Sequence, residues 1–183
     1  SKGYLIGQFE NLLIESCNNG ILLDTLNAAG AGGNVAPNII VFRGGEIRNN
    51  VGWGVRIQSS QGNIDFEGTT FEGNGVQHNP STGAIWWGNG GGTVGITVNN
   101  GWFEANKGTV VYLGPANGSA GITHTFINTQ INENPLASIG IDVNFPTYPT
   151  FINFIGSQIN NDSLDIYLHT GSTVGFFNKL TIS

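Results

Sequence analysis

One spacing limits what this chain can fold into more than any other. An apolar residue is followed five positions later by a second, and the pair recurs along the whole sequence. The pairs are Phe9/Ile14, Phe42/Ile47, Phe66/Phe71, Val98/Phe103, Phe126/Ile131, Phe154/Ile159 and Phe177/Ile182, at steps of 33, 24, 32, 28, 28 and 23 residues. Five is neither the helical period nor the two-residue period of a strand. It fits a strand, a corner and a second strand, with both apolar side chains on one side. In "FEGTTFEGNG", residues 66–75, Phe66 and Phe71 then face inward, the chain turns at Gly68, and Glu67 and Glu72 face outward.

With that frame fixed, other columns align. Two residues after the first apolar member stand Asn11, Gly44, Gly68, Asn100, Asn128 and Gly156. Three residues after the second stand Cys17, Asn50, Asn74, Asn106, Asn134 and Asp162. A third apolar segment closes each repeat: "GILL", "GVRI", "GAIWW", "TVVYL", "IGIDV" and "LDIYL". One repeat cannot bury its apolar face alone, whereas stacked repeats can, each strand pairing in parallel with its counterparts above and below. The asparagines would form a hydrogen-bonded ladder and occupy the left-handed corner. Cys17, heading that column, reads as a small buried residue. The fold expected is all-β, a parallel β-helix of about seven coils with three short strands per coil. The third corner carries the length variation, in Gly-, Pro- and Asn-rich loops that cluster on one edge.

Composition narrows the function. Only 10% of residues are charged, below the usual quarter, and the 29 Gly and 24 Asn suit a fold made of turns. The net charge is −6 with six basic residues, which argues against nucleic acid as a partner. No apolar run is long enough for membrane insertion, and a lone cysteine makes no internal disulfide. The absence of Met, and a chain that starts and stops within the repeat, suggest a fragment of a longer rod comprising one domain over residues 1–183.

Outward columns hold the candidate chemistry. Next to the first apolar member run Glu10, Arg43, Glu67, Asn99, Ile127 and Ile155; next to the second run Glu15, Arg48, Glu72, Glu104, Asn132 and Asn160. Both start acid, base, acid, as solvated salt-bridge ladders do. Glu72 and Glu104 would lie in adjacent coils about 4.8 Å apart. That is close to the roughly 5–5.5 Å between the two carboxyls of a retaining glycosidase. Arg48 would lower the pKa of Glu72, leaving Glu104 free to keep a raised one, the asymmetry an acid and nucleophile need. In the third strand the outward positions are Arg56, Trp86, Tyr112, Asp142 and Tyr167, with Trp53 and Trp102 outward or at corners. Flat exposed rings suit sugar faces. Arg48, Arg56, Trp86, Tyr112 and Trp102 are thus candidate substrate-binding residues beside the catalytic candidates Glu72 and Glu104. The alternative for Trp86 or Trp87 is to cover the Gly-rich stretch that follows. Ile127 and Ile155 suggest a partner surface, unless a register shift turns them inward. His124 falls in an inward column as a core histidine, and no Cys/His or Asp-rich cluster has metal spacing, so neither metal nor cofactor is expected. Asn117 and Asn161 begin glycosylation triplets of a kind common by chance in an Asn-rich chain.

Repeat length, the three-strand coil and the Asn column resemble the right-handed parallel β-helix of the pectate-lyase-like superfamily, over the whole chain. The calcium cluster and arginine motif of pectate lyases are missing, as are the polygalacturonase motifs. The low charge and the Gly-, Asn- and Thr-rich irregular coils are more similar to the β-helix domains of bacteriophage tailspikes and polysaccharide depolymerases. That resemblance implies a homotrimer, extracellular or on the virion tail, that binds and usually cleaves a bacterial surface polysaccharide. The alternatives are a non-catalytic shaft or adhesin segment of a trimeric fibre, and a cellular polysaccharide-degrading enzyme outside the pectin families.

Overall fold

A computed structural model of the chain describes residues 4–24, 26–27, 34–58, 62–88, 95–114, 122–144, 150–160, 164–169, 174–177 and 181–182. The Asn117 and Asn161 triplets, the stretch 89–94, Asp162 and the side chains of Phe177 and Ile182 lie outside the described residues.

The chain winds in rungs of three strands. The first rung is β1 (Tyr4–Glu10), β2 (Leu13–Glu15) and β3 (Ile21–Leu23), followed by the short β4 (Leu26–Asn27). The second is β5 (Asn34–Arg43), β6 (Glu46–Arg48) and β7 (Trp53–Ile57). The third is β8 (Ile64–Glu67), β9 (Thr70–Glu72) and β10 (Gly83–Trp87). The fourth is β11 (Ile96–Asn99), β12 (Trp102–Glu104) and β13 (Thr109–Leu113). The fifth is β14 (Ile122–Ile127), β15 (Gln130–Asn132) and β16 (Ile139–Val143). The sixth is β17 (Thr150–Ile155), β18 (Gln158–Asn160) and β19 (Ile166–Leu168), and β20 (Val174–Phe177) and β21 (Thr181–Ile182) begin another.

Corresponding strands of successive rungs pair in parallel and build three sheets. The first runs β1-β5-β8-β11-β14-β17-β20, the second β2-β6-β9-β12-β15-β18-β21 and the third β19-β16-β13-β10-β7-β3. Among the described strands only β4, paired with β5, is antiparallel. The expected columns are the observed register: Phe42 pairs with Phe66, Ile47 with Phe71, Phe71 with Phe103 and Phe126 with Phe154. The chain is a parallel β-solenoid with three strands per turn.

Alternation along each strand sends one set of side chains into the solenoid. Their rings stack along its axis: Phe42 on Phe66 at 5.1 Å, Phe71 on Phe103 at 4.5 Å and Phe126 on Phe154 at 5.3 Å between centroids. The closed interior is shorter than the coil count expected from the repeats. It spans the second to fifth rungs, where all three sides contribute buried apolar residues, from Ile40, Ile47 and Val55 to Phe126, Ile131 and Ile141. Towards its ends Ile14, Ile21 and Ile166 are only partly buried, and Phe9 and Leu168 are exposed. A rung with no covered face on one side cannot bury its own apolar residues.

Both inner corners require left-handed backbone. At the first corner Asn11, Gly44, Gly68, Asn100, Asn128 and Gly156 all have φ between 46° and 64°. Asn and Gly tolerate that conformation best. At the second corner the left-handed residues are Ser16, Asn49, Gly73, Ala105 and Glu133. Each stands one position before the ladder column, so the ladder asparagines do not take the left-handed corner themselves, contrary to expectation. That leaves their amides free to point inward and pair. Asn50 Nδ2 donates to Asn74 Oδ1 (2.9 Å), Asn74 Nδ2 to Asn106 Oδ1 (3.1 Å) and Asn106 Nδ2 to Asn134 Oδ1 (3.1 Å). All four are buried. Cys17 caps the ladder through its backbone N–H, which donates to Asn50 Oδ1 (3.0 Å), but its side chain is exposed rather than buried. It sits on the first rung, where the interior is still open.

Candidate functional site

The seven candidate residues fall into two groups on different sheets. Arg48, Glu72, Trp102 and Glu104 lie on the outer face of the second sheet, in β6, β9 and β12. Arg56, Trp86 and Tyr112 lie on the outer face of the third, in β7, β10 and β13. The structure does not join them into one site.

On the second sheet Glu72 and Glu104 are direct partners in adjacent strands, as the register predicted. Arg48 behaves differently from expectation. Its Nε donates to Glu15 (2.7 Å), one rung back, and its Nη1 pairs with Glu46 (3.2 Å), two residues away on its own strand. With the guanidinium drawn away, Glu72 is the carboxyl whose pKa is raised. Partial burial is the first cause, followed by a hydrogen bond shared with Glu46 and the charges of Glu46 and Glu104, with Arg48 opposing weakly. The Glu72 pKa, which Arg48 was expected to lower, is raised instead. Trp102, 40% exposed, donates its Nε1–H to Glu104 Oε2 (2.9 Å). This fixes one carboxylate oxygen beside a carboxyl that holds its proton more tightly than usual.

On the third sheet the register sets Arg56 beside Trp86, and Trp86 beside Tyr112. The guanidinium lies over the Trp86 ring at 5.0 Å, and the Trp86 and Tyr112 rings stack at 5.9 Å with 9° between planes. Trp86 is thus covered on one face by Arg56 and on the other by Tyr112. Both rings also lean along their own strands. A Cβ on Gly88 would meet the Trp86 ring at 2.5 Å, and one on Gly114 would meet the Tyr112 ring at 2.5 Å. Trp86 packs over Gly88, the one described glycine of the stretch 88–92, and the missing side chains at Gly88 and Gly114 make room for these poses. Tyr112 is held from the far side, where Asn144 Nδ2 donates to its hydroxyl (3.4 Å). Burial raises the pKa of that hydroxyl first; the nearby Asp142 adds to the rise and the Asn144 bond opposes it.

These side chains border a groove of about 480 Å³, within the range of roughly 300–1,000 Å³ usual for small-molecule sites. Trp53, only 5% exposed, belongs to its inner wall and approaches Tyr112 at 6.4 Å between centroids. It can do so because Gly83, its neighbour one rung on, has no side chain in the way. The rims come from corners: Asn18 and Asn19 of the first rung on one side, Pro80 and Ser81 of the 73–82 segment on the other. Flat rings beside amides, a hydroxyl and one guanidinium can hold a polar ligand with apolar faces. Further along the same column stands Asp142, and His169 Nε2, from another column, lies 2.8 Å from its Oδ1. Burial raises the pKa of Asp142 although His169 opposes it.

Spacing alone did not reveal the rim residues, because corner segments carry no periodic signal. The Asp142–His169 pair was within reach: His169 occupies the column of Gly88, Gly114 and Asn144, two positions along the strand from that of Asp142. So was the ring-over-glycine pose, written in the sequence as Trp86-Trp87-Gly88 and Tyr112-Leu113-Gly114.

The first sheet carries the outward ladder. Arg43 Nε pairs with Glu67 (2.7 Å), and Ile127 and Ile155 face outward, Ile155 being 40% exposed. His124 is fully buried in the core, accepts a hydrogen bond at Nδ1 from the Ile96 N–H (3.2 Å), and has its pKa lowered by burial to about 3. Among the described residues no group of three or more His, Cys, Asp or Glu could hold a metal ion.

No protein-family model, curated protein or solved structure matches the chain.

Proposed function

We propose that the chain is a glycan-binding β-solenoid of the phage tailspike kind, and that a bacterial surface polysaccharide lies along the third sheet in the groove beside Arg56, Trp86 and Tyr112. The observation that carries this reading is the concave site itself. Ring edges, amides and a guanidinium converge there on about 480 Å³ of space. On an otherwise charge-poor chain, such a surface recognises sugars by ring contact and hydrogen bonds rather than by charge density. Rungs about 4.8 Å apart also repeat at about the length of a sugar unit, so one polymer can contact successive rungs. Ile127 and Ile155 form an apolar strip suited to the seam of a homotrimer, and a virion tail is the setting that fits such a spike. Binding to capsular and O-antigen polysaccharides, with Tyr112→Ala as the variant, tests the reading. At least a roughly tenfold loss of affinity is expected from removing a ring that borders the groove. A polysaccharide bound equally by the wild type and Tyr112→Ala overturns it.

A second reading, cleavage, is favoured by one observation: Glu72 has its pKa raised beside Glu104. Glu72 would protonate the glycosidic oxygen as the carbon–oxygen bond breaks. Glu104, oriented by the Trp102 indole, would attack the anomeric carbon. Water would then release the sugar and return the proton to Glu72. Release of reducing ends, lost in both Glu72→Gln and Glu104→Gln, is the expected result. No release from any polysaccharide that binds would leave a non-catalytic shaft or adhesin segment. A virion gene neighbourhood would distinguish either from a cellular polysaccharide-degrading enzyme.

A further inference from the structure

The three arginines are treated differently by the fold. Arg43 pairs with Glu67, and Arg48 pairs with Glu15 and Glu46. Arg56 makes no ion pair among the described residues, and its Nε has no hydrogen-bond partner. Its neighbours in the outward column are Leu22 and Trp86, where the corresponding arginines of the other two sheets meet glutamates. None of the described groove-lining residues is acidic, although the chain as a whole carries a net charge of −6. A guanidinium stays ionised at any ordinary pH and offers five donors in a flat fork suited to a carboxylate. Here it is parked on the Trp86 ring, which fixes its plane without neutralising it. Among its described lining residues the groove is thus a locally cationic recess on a net acidic chain, with the Arg56 charge pre-oriented.

From this arrangement we infer that the groove takes an anionic glycan, whose carboxylate or other acidic substituent pairs with the Arg56 guanidinium while the sugar ring contacts Tyr112 and Trp53. The inference rests on the groove being the glycan site and adds the chemical class of its ligand. Arg56 sets specificity. A neutral sugar leaves the cation desolvated with its donors unpaired, whereas an acidic one satisfies them with charge-assisted bonds.

The test uses a panel of uronic-acid-bearing capsular polysaccharides, and the same polymers after chemical reduction of their carboxyls to alcohols. Affinities are measured for the wild type, Arg56→Gln and Tyr112→Ala, each checked for an unchanged unfolding midpoint. The expected result is binding of an acidic polymer that weakens at least about tenfold on carboxyl reduction. Arg56→Gln should weaken it by a similar factor, with no further loss when both changes are combined. Added salt should weaken the wild type more than Arg56→Gln. If acidic and reduced polymers bind alike, Arg56→Gln has no effect and Tyr112→Ala abolishes binding, the anion inference is overturned while the groove stands as the glycan site. If Tyr112→Ala and Arg56→Gln both leave binding unchanged, both readings fail.

Discussion

The outer faces of the second and third sheets start from the same rule and end differently. On both, stacking places residues from successive rungs side by side: Glu15, Arg48, Glu72 and Glu104 on one, Arg56, Trp86, Tyr112 and Asp142 on the other. On the second sheet the charges find one another, Arg48 reaching two glutamates while burial and the neighbouring Glu46 raise the pKa of Glu72. On the third the cation meets an aromatic ring, and the neighbouring corners rise around it into a groove. Adjacency is a property every solenoid column has. A binding site needs adjacency plus concavity, and here the concavity comes from Pro80, Ser81, Asn18 and Asn19 in the corners.

The largest expected effect removes the register on which both columns depend. Asn106 Nδ2 donates to Phe71 O (2.9 Å) as well as to Asn134, and its Oδ1 accepts from the backbone N–H and the amide of Asn74. Asn106→Ala leaves several of these buried groups unpaired, at a cost on the order of 3 kcal/mol. Urea unfolding should show the loss, and glycan binding and the Glu72 titration should weaken together. A variant as stable as the wild type would mean that the ladder does not hold the rungs in place.

Next in size is a change confined to the third sheet. Gly88→Ala puts a methyl group where the Trp86 ring lies, 2.5 Å away. The ring must move off Arg56 and Tyr112, and affinity for a groove-bound glycan should fall by about tenfold. The unfolding midpoint should change far less, since the ring can swing towards solvent. Unchanged binding would show that the stacked pose is not the binding pose.

The smallest effect concerns the second sheet. Because the folded-state pKa of Glu72 lies above its unfolded value, the folded protein holds the extra proton between the two. Stability contributed by this group therefore rises as pH falls through the folded pKa, and is level below the unfolded one. Glu72→Gln should remove that pH dependence and leave glycan binding in the groove unchanged. An unaltered stability–pH profile between the two variants would contradict the raised pKa.

Much of this fold could be read from the sequence because its cause is periodic. The five-residue pair, the Asn50–Asn74–Asn106–Asn134 column and the outward sequence Arg56, Trp86, Tyr112, Asp142 are one-dimensional patterns that stacking turns into neighbours. What could not be read is competition. Arg48 has acidic neighbours in three directions, and side-chain length and geometry, not register, choose Glu15 and Glu46 over Glu72. Burial at the ends is equally invisible: Cys17 occupies a ladder position, yet its exposure depends on where the closed interior begins. The groove rim comes from corners whose shape follows no period.

The four tryptophans allow the central claim to be tested directly, since Trp53 and Trp86 border the groove, Trp87 lies in the core and Trp102 stands beside Glu104. Indole N–H resonances, followed while a bound polysaccharide is titrated in, report on each face separately. The signals of Trp53 and Trp86 should shift while those of Trp87 and Trp102 stay in place. A shift of Trp102 with Trp53 and Trp86 unmoved would place the glycan on the second sheet and contradict the account.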